Sequence, residues 1–278
     1  MPLLIPKTRM FLLTHVLEWF PTLKQRVFAW LYQFLAGYSG EEHWDWTFMN
    51  YGYAGKFPLP LLKEDEPDRY CCQLYAKVVD GVCLKNKIVI EVGCGRGGGL
   101  SFLQRYYAPE SSHGIDLCQK AIAFCRRRHD SRPGTKLVFR TGDAANIPYD
   151  DGMVDVVVNV ESSHCYPSRR KFFAEAYRVL KPGGKFCYAD LHEAGERERI
   201  EKWLADAGFA IDVCEDITAG VVEALSLDNA RKQQLIAAKA PWWLRKPFGS
   251  FAGLVGSRPH RSFVTGARRY TRWQLSKP

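Results

Sequence analysis

Two different hydrophobic rhythms divide the chain. Between residues 10 and 35, large apolar side chains (Phe11, Leu13, Val16, Leu17, Phe20, Val27, Trp30, Leu31 and Phe34) recur at three- and four-residue spacing. That period predicts amphipathic helices on either side of Pro21. Glu18, Lys24 and Arg26 interrupt the run, so it offers no unbroken apolar stretch of about 20 residues for crossing a bilayer. It also lacks the small-residue cleavage site of a signal peptide. Such helices can cap a pocket, pack on a core or make peripheral contact with a membrane. Packing as a cap over residues 1–65 is the expectation adopted here.

The second rhythm begins after an aromatic, glycine-containing stretch (43–57) and a joint holding Pro58 and Pro60. A helix is predicted over 66–82, and from there short apolar runs alternate with helical patterns. Strands are expected at 87–92, 113–116, 136–140, 154–159, 185–189 and 209–214. Helices are expected at 100–107, 119–128, 168–180, 196–207 and 216–240, and a closing antiparallel strand at 267–276. Pro182, Gly183 and Gly184 stop the helix at 168–180. Repeated β-α alternation argues for an α/β domain over 66–278, a mainly parallel sheet covered on both faces, with a helical lid inserted around 216–258. Ligands of such sheets bind beyond the carboxyl ends of the strands, so the residues just after each strand carry the functional interest.

Composition narrows the classes. With 278 residues, 46% apolar and 25% charged, the chain is that of a globular protein with one large domain. Its nine cysteines are odd in number and never spaced Cys-x-x-Cys, which fits the reduced thiols of a cytoplasmic protein better than a disulfide framework or zinc site. No metal is expected: His43, His113, His129, His164, His192 and His260 form no helical pair or carboxylate grouping. The net charge of +9 is uneven, because residues 229–278 hold eleven Lys/Arg and no Asp/Glu. A solvated basic face is the simplest account; nucleic acid is not expected, since no RNA- or DNA-binding motif accompanies it.

The first strand runs into Glu91-Val92-Gly93-Cys94-Gly95-Arg96-Gly97-Gly98-Gly99. Gly93, Gly95 and Gly98 satisfy G-x-G-x-x-G, which permits a tight turn and close approach of a ligand to the next helix, but alone this signal is weak. Asp116 ends the second strand, placed to accept hydrogen bonds from a ribose diol. After the third strand comes Gly142-Asp143-Ala144, where a carboxylate can meet the exocyclic amine of adenine beside a small residue. A nicotinamide dinucleotide and S-adenosylmethionine both fit the first two features; the set as a whole discriminates.

That set, continued by Ile147-Pro148-Tyr149 and Val179-Leu180-Lys181-Pro182-Gly183-Gly184, resembles the class I S-adenosylmethionine-dependent methyltransferases in order and spacing over residues 66–215. The resemblance implies a Rossmann-like seven-stranded sheet of order 3-2-1-4-5-7-6, with the last strand antiparallel. It implies S-adenosyl-L-methionine as cofactor, S-adenosyl-L-homocysteine as product, and a cofactor site at Glu91, Gly93, Gly95, Asp116, Leu117, Asp143, Ala144, Asn159 and Glu161.

On the acceptor side, the run Asn159-Val160-Glu161-Ser162-Ser163-His164-Cys165-Tyr166-Pro167, with Gly97-Gly98-Gly99 and Tyr188-Ala189-Asp190-Leu191, is similar to the mycobacterial phthiotriolone/phenolphthiotriolone dimycocerosate O-methyltransferases. More distantly, His164 and Asp190 match residues of sugar O-methyltransferases acting on rebeccamycin-type glycosides. The implied acceptor is a hydroxyl on an apolar small molecule: a polyketide, phenolic, lipid or glycoside. Independently, an alcohol attacks a sulfonium methyl only as its proton leaves, and an imidazole just past strand four suits that transfer. Asp190, just past strand five, would orient the ring. Tyr51, Tyr53 and Tyr166 are expected to wall the acceptor site, and Glu161 to support the cofactor pocket rather than act as a base.

Other readings carry discriminators. C- or N-methylation would be separated by product mass and acid lability. A dinucleotide oxidoreductase is disfavoured by Asp143-Ala144, and an RNA methyltransferase by the lack of an Asn/Asp-Pro-Pro-Tyr motif. A non-catalytic module binding anionic membrane through the basic block is the reading from another class.

Overall fold

Val-rich segments with two-residue alternation build the middle of the sheet. In a computed structural model of the chain, which describes residues 46–56, 59–129 and 136–278, β4 (Val154–Val160) sends Val156, Val158 and Val160 into one apolar layer and Val154 and Val157 into the other. β5 (Leu180–Glu193) does the same with Cys187, Ala189 and Leu191 against Phe186 and Tyr188. A strand buried on both faces reads as a continuous apolar run, as β4 does.

The other strands are β1 (Ile88–Val92), β2 (Ser111–Asp116), β3 (Leu137–Thr141), β6 (Ala210–Asp216) and β7 (Arg268–Ser276). They form one seven-stranded sheet in the order β3-β2-β1-β4-β5-β7-β6. β1 to β5 pair in parallel and β7 runs antiparallel to both β5 and β6, the order and polarity expected from the sequence. The sheet's order reverses between β1 and β4, which places the crevice at their carboxyl ends.

α1 (Arg69–Val79) and α2 (Gly98–Tyr107) cover one face, and α4 (Arg169–Val179) and α5 (Arg197–Asp206) the other; α3 (Gln119–His129) flanks β2 and β3. Ser168 caps α4 by accepting the Lys171 N–H at 3.2 Å. In the second layer Phe186, Tyr188 and Trp273 stack, with Tyr188 and Trp273 centroids 4.9 Å apart. Each such aromatic pair adds about 0.5–1.5 kcal/mol beyond burial, so the stack holds Tyr188 stiffly.

Several boundaries differ from the sequence reading. The 66–82 helix is a 3-10 turn (Glu66–Asp68) followed by α1, which ends at Val79. β5 extends well beyond 185–189 because β7 pairs along it from Lys185 to Glu193. The expected helix at 216–240 breaks at Asp228 into α6 (Thr218–Leu227) and α7 (Asn229–Lys239). Two further helices, α8 (Arg245–Phe251) and α9 (Arg258–Val264), precede β7. The amphipathic helices read at 10–35 lie outside the described residues. The described part of the expected cap is held by its backbone: Thr47 C=O accepts from Gly98 N–H, and Tyr53 N–H donates to Tyr70 C=O.

Candidate active site

The loop after β1 is folded against its neighbours rather than standing open. Gly93 N–H and Cys94 N–H both donate to the Ile115 carbonyl, at 2.7 and 3.0 Å. Gly93 has φ +75°, and a Cβ there would fall 2.4 Å from Ser162 Oγ and 2.5 Å from the Tyr166 hydroxyl. Glycine at 93 is therefore required by the loop after β4 as well as by the turn.

Asp116 sits at the end of β2, only 7% exposed. Its Oδ2 accepts the Gly95 N–H and its Oδ1 the Cys118 N–H, both at 2.8 Å. Burial pushes this carboxyl up, and the two amides pull it back. Each carboxylate oxygen keeps acceptor capacity beyond one amide, so the group remains able to take hydroxyl donors. Beside it Leu117 is 60% exposed, an apolar surface left open next to an aligned acceptor. Asp143 is exposed with Oδ1 taking the Ala145 N–H at 2.9 Å, and Ala144 packs on the second core layer. These acceptors, with the uncovered Leu117 next to Asp116, fit an adenosine carried by a sulfonium amino acid.

Two polar groups lie under the loop. Glu91 is fully buried; its Oε1 accepts the Tyr75 hydroxyl at 2.5 Å, while Oε2 has no hydrogen-bond partner. Burial pushes its pKa up to about 8, against the Tyr75 hydrogen bond, with the Asp116 charge raising it further. Asn159, also fully buried, donates from Nδ2 to the Val92 carbonyl (2.8 Å), Ser162 Oγ (2.7 Å) and the Tyr166 hydroxyl (3.1 Å). Its Oδ1 is left without a partner, an unfilled acceptor beneath the glycine loop.

A 3-10 turn (Ser163–Cys165) follows β4 and carries His164 over the strand ends. His164 Nδ1 lies 2.7 Å from Asp190 Oδ1, and the His164 backbone N–H donates to Oδ2 at 2.9 Å. Ser163 Oγ donates to the same Oδ2 at 2.5 Å and lies 2.8 Å from the Tyr188 hydroxyl. The Asp190 side chain is 1% exposed and that of His164 27% exposed, so the carboxylate is sealed while the ring reaches outward. With Nδ1–H directed at a carboxylate, Nε2 is the nitrogen left to accept. Burial lowers the imidazole pKa, but the Cys165 thiol and the Asp190 carboxylate raise it more, leaving it well above its ordinary value. Burial raises the Asp190 carboxyl, and the His164 charge and hydrogen bond outweigh it, holding it below the usual range.

Glu161 adopts φ +51°, and its Oε2 accepts the Tyr51 N–H (2.9 Å) and the Tyr270 hydroxyl (3.2 Å). Burial pushes it up to about 8. It fastens the 46–56 segment to the end of β4. Tyr51 is thereby brought beside the His164 turn, its ring edge-on to Phe263 at 5.7 Å. Tyr53 is placed elsewhere: its ring lies against Gly220 on α6 and under Lys77 of α1. The Tyr166 hydroxyl turns inward to Asn159 and Ser162, beneath the glycine loop.

Ser163 and Tyr188 stood inside the quoted sequence runs without an assigned role, and Tyr75 and Tyr270 were not singled out by the sequence. A further signal for Tyr188 is its two-residue spacing from Asp190, which puts both side chains on one face of a strand. Among the described residues, no group of three or more His, Cys, Asp or Glu could hold a metal ion.

The family model described as a methyltransferase domain matches residues 90–188, from β1 through the His164 turn into β5. The chain is 38% identical over 255 residues to a phthiotriol/phenolphthiotriol dimycocerosates methyltransferase of Mycobacterium tuberculosis, covering 91% of this chain and 93% of that protein. It is 39% identical over 203 residues to a fatty-acid O-methyltransferase of Mycolicibacterium smegmatis, covering 72% of this chain and 73% of that one. In fold it is similar to geranyl diphosphate C-methyltransferase from Streptomyces coelicolor, solved with Mg2+, geranyl diphosphate and S-adenosyl-L-homocysteine, with a TM-score of 0.62 at 18% identity over 89% of this chain and 98% of that one. The glycine loop, the strand-end acids and this likeness along nearly the whole chain agree: it belongs to the S-adenosylmethionine-dependent methyltransferases, in the family of the phthiotriol/phenolphthiotriol dimycocerosates enzymes.

Proposed function

We propose that this enzyme methylates a hydroxyl oxygen of an apolar, lipid-like small molecule, with His164 as the general base. The observation that carries the reading is the His164–Asp190 pair: a sealed carboxylate holding Nδ1 of a ring that stays 27% exposed at the strand ends. When bound, S-adenosylmethionine supplies an electrophilic methyl group. Gly93, Gly95, Asp116, Leu117, Asp143 and Ala144 would hold it, with Glu91, Asn159 and Glu161 behind them. Asp116 offers acceptors to the ribose hydroxyls, and Leu117 an apolar surface to adenine. His164 Nε2 takes the acceptor's proton as the oxygen becomes nucleophilic, and Asp190 stabilises the imidazolium that results. Positioning of the two reactants carries much of the remaining acceleration.

The raised pKa of His164 favours a second reading, a carboxylate acceptor. An imidazolium at that place would pair with a fatty carboxylate, which needs no base; one relative carries the name of a fatty-acid O-methyltransferase. One experiment separates the readings: methyl transfer to a long-chain secondary alcohol and to a long-chain fatty acid, by product mass, across a pH series. A rate that rises with pH on the alcohol and vanishes in His164→Ala supports the first reading. Ester formation that falls as pH rises supports the second.

A further inference from the structure

The turn joining α7 to α8 carries two tryptophans that the fold does not bury. Trp242 is 80% exposed and Trp243 53% exposed, although the flanking Ala240 and Leu244 are buried. α7 and α8 form a helical hairpin with its own small core of Ile236, Ala240, Leu244, Phe248 and Ala252, against which Trp46, Phe251 and Leu254 pack. The two indoles take no part in it, and they place large apolar surface in water at the hairpin's tip.

The side chains around them are cationic. Lys239, Arg245 and Lys246 are exposed beside the tryptophans, and no Asp or Glu occurs anywhere from residue 229 to the end. Arg245 also ties the turn, donating to the Ala237 and Ala240 carbonyls at 2.8 and 3.2 Å. Lys239 and Lys246 have no ion pair among the described residues. The base of the hairpin, by contrast, lies at the candidate active site: a Cβ on Gly253, just past α8, would sit 3.0 Å from the Tyr51 ring. One seven-residue helix, about 10 Å long, joins the turn to that base.

We propose that this turn docks the protein on an anionic membrane surface, with Trp242 and Trp243 entering the headgroup region and Lys239 and Lys246 facing lipid phosphates. Indole rings are suited to that depth because one edge is apolar and the N–H remains able to meet water or phosphate. Basic side chains next to them gain from the negative surface potential, and the missing carboxylates remove the opposing term. A nucleic acid would need a basic groove tracking its backbone, whereas these groups crowd one hairpin tip. The docked face would bring an apolar acceptor out of the bilayer close to Tyr51. The docking itself needs neither cofactor nor acceptor, so its failure would leave the proposed reaction standing, and the reverse.

The test is sedimentation of the full chain with phosphatidylcholine vesicles, with and without phosphatidylglycerol, at low and high salt. Binding is expected on the anionic vesicles only, weakening with salt. Trp242→Ala with Trp243→Ala should lower the partition coefficient about tenfold, and Lys239→Gln with Lys246→Gln about ten- to thirtyfold. Both double variants should keep the wild-type circular dichroism and melting transition, and Lys202→Gln, exposed on α5, should bind like wild type. Equal binding to neutral vesicles, no binding to either, unaltered binding by the tryptophan variant, or tighter retention on RNA than on vesicles at the same salt would each overturn the proposal.

Discussion

His164 and Asp190 are joined twice, through the ring nitrogen at 2.7 Å and through the His164 backbone amide at 2.9 Å. The carboxylate thus fixes both where the turn after β4 sits and which way the imidazole points. Ser163 Oγ donates to the same carboxylate and is itself hydrogen-bonded to the Tyr188 hydroxyl, so the acid that holds the base is held in turn.

That coupling has a kinetic signature. His164→Ala should lower kcat on a hydroxyl acceptor by roughly a hundred- to ten-thousandfold while leaving cofactor affinity unchanged. Only the neutral ring accepts a proton, and Asp190 favours the charged ring, so kcat/KM should fall as pH drops through a His164 pKa lying above that of free imidazole. Asp190→Asn removes the stabilising charge. Its pH–rate limb should move to lower pH, with a rate loss of roughly a hundredfold or more. A limb that stays in place would show that Asp190 does not act through His164.

Cofactor binding should depend on Asp116. Replacing it by Ala removes both the acceptor for incoming hydroxyls and the partner of the Gly95 and Cys118 amides. Calorimetry should show S-adenosylmethionine affinity reduced by at least about tenfold, with no binding of NAD to either form. Wild-type affinity in the variant would remove Asp116 from the cofactor site.

Glu91 links protonation to stability. Its folded pKa of about 8 lies above its ordinary carboxylate value. The folded state therefore binds the proton more tightly than the unfolded one, a stabilisation fully present below the unfolded pKa and lost as pH rises through the folded value. Glu91→Gln abolishes this dependence and still accepts from Tyr75. Thermal melts of wild type and variant should diverge in the variant's favour between about pH 5 and pH 8, whatever their offset at the acid end. Parallel melting curves would rule the linkage out.

Gly93 should tolerate no side chain. Alanine there meets Ser162 Oγ and the Tyr166 hydroxyl at well under contact distance, in a left-handed backbone. Gly93→Ala is expected to cost roughly 1–3 kcal/mol in urea denaturation and to weaken S-adenosylmethionine binding. A Gly93→Ala/Ser162→Gly pair should recover part of that stability, since it removes one of the two collisions.

The sequence by itself determined the sheet and the residues that stand at its strand ends. Period-two valines, glycine-rich turns and an acid at the ends of the second and third strands are local features, and they placed β1 to β4, the loop at Gly93 and the residues Asp116, Asp143 and His164 within a few positions. What it left open depended on contacts between distant segments. Pairing of β5 with β7, from Lys185 to Glu193, decided how far β5 runs and so where Asp190 stands. Glu161 became a fastener because Tyr51 and Tyr270, each more than 100 residues away in the chain, converge on one of its oxygens. Tyr51, Tyr53 and Tyr166 look alike as aromatic residues near the site in sequence, yet they point to Phe263 on α9, to α6 and beneath the glycine loop. Helix periodicity says which side of a helix is apolar, not what covers it. Only the folded chain shows that the α7–α8 hairpin buries its own core and leaves Trp242 and Trp243 in water.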